Sequence, residues 1–176
     1  MNVTVGRLSM EGEYSMALRG YPAMTTFSES IMIDTGPAGV WAVLSDVGGI
    51  SDWNEGVKES HLIDGSNRGL GAQRYCGLGG KNYIHESVVT FDEERAITMR
   101  IDETNLPFKS ADIHFTLEPV GTQTRVTVLP VYELKYGLLG QLMDKMMVEK
   151  KYRTGMVGLL NGLKAHVESH QPTDAR

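Results

Sequence analysis

The middle of the chain, from Val57 to Tyr132, constrains the fold more than any other feature. Six runs there read as strands: Val57–Ile63, Ala72–Leu78, Asn82–Phe91, Ala96–Glu103, Ala111–Glu118 and Arg125–Tyr132. The turns between them contain Gly, Asn, Asp and Pro, and connections this short make neighbouring strands antiparallel. Alternation is clearest in Ile97, Met99, Ile101 and in Ile113, Phe115, Leu117, each interleaved with polar residues. One face of the sheet is therefore apolar and the other polar. Met99, Ile101, Ile113 and Phe115 are expected on the covered face, and Thr98, Arg100 and His114 on the wet one.

An apolar sheet face needs a cover, and one long helical pattern remains to supply it, from Leu138 to about Ser169. Leu139, Leu142, Met143, Met146, Val157, Leu160 and Val167 fall along it at three- and four-residue spacing. At ~1.5 Å per residue such a helix spans nearly 50 Å, enough to cross a curved sheet. Upstream, Thr26 to Asp34 reads as a strand. Thr35-Gly36-Pro37 then opens a helix over Ala38 to Ser45, with proline where its missing N–H costs nothing. Asp46-Val47-Gly48-Gly49 breaks it, and Ile50 to Trp53 adds another turn. The expected fold is α+β: a seven-stranded curved antiparallel sheet around a long C-terminal helix, with two short helices after the first strand, over residues 25–170.

Residues 1–24 mix Gly6, Gly12, Gly20 and Pro22 with isolated apolar residues and show no periodicity, so they read as a loose arm. Met10, Met16 and Met24 make a misassigned start as compatible with this segment as a functional extension. Residues 171–176 read as a tail.

Composition narrows the function classes. With 41% hydrophobic and 22% charged residues and a net charge of -5, the chain reads as an ordinary globular protein, and its scattered basic residues lack the footprint of a nucleic-acid binder. Cys76 is the single cysteine, which excludes an internal disulfide and a cysteine-rich zinc site and makes the cytoplasm the default location. No run reaches the ~18 apolar residues of a membrane span, and the first residues do not resemble a signal peptide. His61, His85 and His114 sit on strands without Asp or Cys at ligand spacing, so they are expected to face solvent and no metal or other cofactor is expected. Gly77-Leu78-Gly79-Gly80 lies between two strands and reads as a hairpin turn, not as a phosphate loop, because no helix follows it.

The order of elements is that of a helix-grip fold, and local signatures agree with it between Thr26 and Ser169. They are the run PAGVWAVLSD from Pro37 to Asp46, Trp53, GAQR from Gly71 to Arg74, ESVVTFD from Glu86 to Asp92, Leu106-Pro107, and GLLG from Gly137 to Gly140. Together these resemble the polyketide-cyclase-like branch of the START-like (SRPBCC) superfamily. The resemblance implies a cavity between sheet and helix that takes lipids, sterols, polyketides or other hydrophobic molecules, and in some members cyclises or dehydrates them. It leaves three readings open: a binder or transporter of a small hydrophobic or aromatic ligand, a polyketide aromatase/cyclase or dehydratase, and a protein-interaction module resembling co-chaperones.

Glu86 sits between Ile84 and Val88 on one strand face, and Arg74 shares a face with Ala72, Cys76 and Leu78 on the preceding strand. Three residues between Leu78 and Asn82 would set Arg74 opposite Glu86, whereas a two-residue Gly79-Gly80 turn would set His85 there. Inside a cavity the two charges could orient a ligand, or Glu86 could act as acid or base with Arg74 stabilising an enolate oxygen. At the sheet surface they would be an ordinary salt bridge. Trp53, Met99, Ile101, Ile113, Phe115, Met143, Met146 and Met147 are the candidate apolar lining, methionine being adaptable to irregular ligands. Lys150 and Arg153 lie near the apolar stripe of the last helix, where snorkelling at the cavity mouth is expected. Removal of Met1 to about Thr25 should leave the fold and the melting temperature nearly unchanged, since this segment offers no periodic apolar face to bury. A stability loss far above the ~0.5 kcal/mol of ordinary surface changes would show the arm packed into the core.

Overall fold

A computed structural model describes residues 24–63, 65–135 and 141–170, with side chains of the last segment described from residue 147 onward. Strands β1 (Thr25–Thr26) and β2 (Glu29–Ile33) lead into helix α1 (Pro37–Leu44) and a 3-10 turn at Val47–Asp52. Then come β3 (Glu59–Leu62), β4 (Gln73–Gly79), β5 (Asn82–Asp92), β6 (Ala96–Thr104), β7 (Phe108–Val120), β8 (Gln123–Leu134) and the long helix α2 (Gln141–Ser169). The arm at 1–23, the tail and residues 136–140, with Leu139, lie outside the described residues.

One antiparallel sheet runs in the order β1-β8-β7-β6-β5-β4-β3, with β2 also pairing β8. It has eight strands where seven were expected, because the first strand is split. β1 and β2 follow the same register on β8, from Thr25 opposite Tyr132 to Glu29 opposite Val128. The gap at Phe27 and Ser28 falls beside Pro130 and Leu129. Pro130 has no N–H to give the ladder, so pairing lapses there and resumes beyond it.

Bulges bend the sheet. Partners shift by one residue between His85 and Glu86 and again between Val88 and Thr90, so Asp102 on β6 and Val89 on β5 are left over. Each extra residue kinks its strand and deepens the twist, which curves the face toward α2. On that concave face Ile84, Val88, Ile97, Met99, Ile113, Phe115 and Leu117 are buried as the alternation demands. The opposite face departs from expectation at Thr98, which is only 5% exposed. It sits mid-sheet opposite the half-buried His114, and its Oγ1 is 2.9 Å from His114 Nδ1, so the two side chains shield one another. Burial lowers the His114 pKa. Arg100 is exposed as expected and forms two 2.9 Å bonds to Asp112.

Helix α2 buries Met156, Leu159, Leu160, Leu163 and Val167, and seats on β2, α1 and β8. Leu160 and Val167 of the expected stripe are buried, but Val157 is 40% exposed, because at that turn the buried position is Met156. No helix among the described residues is long and apolar enough to cross a membrane. The tightest seat of α2 is Gly162, where an added Cβ would lie 2.0 Å from the Trp53 carbonyl oxygen. Gly162→Ala should therefore cost about 2 kcal/mol in urea denaturation, because overpacking against rigid backbone outweighs the ~1 kcal/mol gain in helix propensity. Gly158→Ala, with nothing within 4 Å of its Cβ, should instead stabilise by up to ~1 kcal/mol.

Candidate functional site

The β4–β5 hairpin decides what faces the interior. Its loop is Gly80-Lys81, closed by Gly79 paired with Asn82, and Gly79 (φ 91°) and Gly80 (φ 63°) hold left-handed backbone. A bulge at Leu78 then restores the register, so Gly77 faces Tyr83 and Arg74 faces Glu86. The turn is two residues long, yet the pair is the one a three-residue loop would give, because the bulge supplies the missing residue.

Both charges are buried, with Arg74 6% and Glu86 2% exposed. Arg74 Nε and Nη2 each lie 2.8 Å from Glu86 Oε2, and Nη1 donates at 3.0 Å to the Val47 carbonyl of the 3-10 turn. Burial works against the Arg74 charge, but the neighbouring Glu86 and Cys76 more than compensate and raise its pKa. The Cys76 thiol lies 3.8 Å from the same Oε2, and burial pushes its pKa up to about 11, so it stays a thiol near neutrality.

Above this pair, between the sheet and α2, lies a cavity of about 220 Å³. Arg74 and Glu86 form its polar floor. Ile84, Met99, Ile101, Ile113 and Phe115 line the sheet side, Met156, Leu159 and Tyr152 the helix side, and Ile50, Asn54, Gly56, Val57, Leu78, Leu106 and Phe108 the remaining wall. It exists because α2 seats on β2, β8 and α1 and leaves the middle of the curved sheet uncovered. A second depression of about 180 Å³, rimmed by Asp102, Glu103, Lys109 and Lys135, carries charges suited to solvent contact.

Of the expected lining, Arg74, Glu86, Met99, Ile101, Ile113 and Phe115 are brought together around the cavity. Trp53 is buried but packs in the core behind the wall, which its neighbours Ile50, Asn54, Gly56 and Val57 form instead. Met147 is 61% exposed and points away from the sheet. The side chains of Leu142, Met143 and Met146 lie outside the described ones. Lys150 is exposed, and Arg153 is drawn outside the cavity: it bonds Glu29, and its guanidinium carbon lies 4.5 Å above the Phe27 ring. Glu29 at the start of β2 and Phe27 just before it therefore hold it away from the mouth. Of the three histidines expected to face solvent, His61 is exposed, while His85 and His114 are half-buried by ring and cross-strand neighbours.

Tyr152 is the lining residue the sequence reading missed. Its ring closes one end of the cavity with Phe108 at 5.0 Å, backed by Phe27 and Tyr132 at 5.6 and 5.1 Å. Burial, then the charge of Glu86, raises its pKa far above the ordinary phenol value. Its hydroxyl has no hydrogen-bond partner among the described residues. The spacing Tyr152, Met156, Leu159, Leu160, Leu163 was the available signal.

The buried pair predicts a non-additive cycle. Arg74→Met or Glu86→Leu alone should each cost ~3–5 kcal/mol by stranding a buried charge, whereas the double variant should cost less than either. Urea denaturation of the three variants measures it, and additive losses would mean the charges do not interact.

The fold recurs in solved structures. A START superfamily protein from Mycobacterium smegmatis matches with a TM-score of 0.69 at 18% identity, over 83% of this chain and 99% of that one. The Zhui aromatase/cyclase from Streptomyces matches at 0.70 and 17% identity, over 85% and 97%. Major latex-like protein 151 from Panax ginseng matches at 0.67 and 18%, over 85% and 99%. No curated protein sequence matches. These likenesses establish the helix-grip fold, and a family model covering residues 24–168 goes further: the chain belongs to the family described as polyketide cyclase / dehydrase and lipid transport.

Proposed function

We propose that this protein binds a small hydrophobic or aromatic molecule in the cavity between the sheet and α2. The carrying observation is the cavity itself: about 220 Å³, with walls that are almost wholly apolar and one charge pair on its floor. That volume is below the ~300–1,000 Å³ expected for a drug-sized ligand. It exceeds the ~150 Å³ at which an apolar engineered cavity already admits benzene. One or two rings suit it, and a polyketide of three or four fused rings does not. The small size and the fold of the family together support carriage or sensing of a compact ligand, which we place in the cytoplasm.

The cyclase or dehydratase reading asks Glu86 to move a proton. Held at 2.8 Å as the counter-ion of Arg74, Glu86 is better suited to organising a site than to exchanging protons with a substrate. A protein-interaction module would have no use for an interior void, so that reading gains nothing from the geometry.

The test is a ring-size series. Calorimetric titration with benzene, naphthalene and anthracene analogues should show affinity rising to two rings and lost at three. Ile101→Trp, opposite Glu86 on the cavity wall, should weaken two-ring binding at least ~10-fold, since it fills the space the ligand needs. Native mass spectrometry of the purified protein should reveal a co-purified ligand of similar size. A series that binds nowhere, to a protein with a normal melting transition, would refute the proposal.

A further inference from the structure

Two neighbouring strands of the sheet part before they end. β6 and β7 pair from Ala96 opposite Thr116 to Arg100 opposite Asp112, and there the ladder stops, with the two Arg100–Asp112 bonds across its last rung. Past that rung both strands continue, but each is held on its far side: β6 pairs β5 as far as Thr104, and β7 pairs β8 from Phe108. The turn between them is pulled both ways. The Asn105 side chain bonds the Tyr83 N–H and the Lys81 carbonyl of the β4–β5 hairpin, whereas the Pro107 carbonyl accepts from the Lys135 N–H just past β8. Each strand also carries a bulge here, so that Asp102 and Lys109 fall out of the ladder. Among the described residues, what spans the split is a side chain: Lys135 Nζ reaches past β7 and donates at 3.2 Å to the Thr104 carbonyl of β6.

The surface depression of about 180 Å³ lies in this split, lined by Asp102 and Glu103 from β6 and by Lys109 and Ser110 from β7. Ile101 and Phe108 line it too, and the same two residues line the interior cavity. The two spaces thus share a wall. Elsewhere in the sheet, parting two strands would break backbone hydrogen bonds and leave their N–H and C=O groups unpaired. Between these ends of β6 and β7 there are no rungs to break, so widening costs the Lys135 bond and a rotation of the two wall side chains. Resting on the binding reading above, we infer that the split between β6 and β7 is a gated portal through which a compact ligand enters and leaves the cavity, with Lys135 on the Thr104 carbonyl as its latch.

Exchange of 1-fluoronaphthalene between its free and bound forms, followed by fluorine NMR, with the affinity taken from calorimetric titration, tests this on the full chain and two variants. Neither variant touches the cavity lining. Lys135→Met keeps the length of the side chain and removes the donor. Association and dissociation should both quicken about 5- to 10-fold, because a bond to a charged group no longer has to break on opening. Ser110→Trp plugs the split from its exposed rim and should slow both rates at least ~10-fold. In both variants Kd should stay as in the wild type, since a gate acts on entry and exit alike. A merely structural Lys135 would lower the melting temperature when lost and leave the exchange rates alone, which would overturn the latch. Unchanged rates in Ser110→Trp would overturn the portal by placing entry elsewhere. A changed Kd in either variant would overturn it too, by making these residues part of the binding wall. These results leave the cavity reading standing, whereas a wild type that binds no 1-fluoronaphthalene would remove both proposals.

Discussion

The concave face of the sheet is apolar along most of its strands, and one helix has to keep water from it. Where that helix sits is fixed at one flank. Met156, Leu159, Leu160, Leu163 and Val167 face inward, and α2 rests on β2, β8 and α1. At Gly162 the helix backbone comes so close to the Trp53 carbonyl that no side chain fits between. A straight rod fixed along one side of a bowl cannot also touch its middle. The bulges in β5 and β6 deepen the bowl at the strands that carry Glu86 and Met99. The cavity thus results from curvature and from the position of the helix, and its walls are the residues that would otherwise be ordinary core.

Placing two charges at the bottom of such a space is costly unless each is answered. Arg74 and Glu86 answer one another, and the Val47 carbonyl takes up a further guanidinium N–H. The pair also joins β4, β5 and the 3-10 turn. A hydrophobic replacement of similar volume would often serve stability as well, so stability alone does not account for a charge pair in a cavity wall.

Much of this was legible in the sequence, for identifiable reasons. Met99, Ile101, Ile113 and Phe115 lie on strongly alternating strands, where a side chain's face follows from its parity. The inward phase of Glu86 followed from Ile84 and Val88. Its partner could not be read, because loop length alone does not fix register when a bulge at Leu78 can add a residue. The split of the first strand depended on Pro130, about a hundred residues away in sequence, falling beside Phe27. Tyr152 was missed because the helical stripe, right at Leu160 and Val167, was traced through Val157 in place of Met156, about 100° round the helix, and Met156 is the residue one turn on from Tyr152. Trp53 and Arg153 failed for another reason: burial and proximity to a stripe do not say which neighbour captures a side chain, and Phe27 and Glu29 capture Arg153.

The sheet is open, so it ends in two free borders, and their shape bears on how the protein behaves in a crowded solution. β3 is four residues long, and the opposite border is broken at Phe27 and Ser28 into pieces of two and five, the longer lying under α2. A strand from a neighbouring molecule would find no uninterrupted row of unpaired amides on which to extend the ladder. Among the described residues, the same proline that breaks the first strand therefore also shortens the border on which a foreign strand could add.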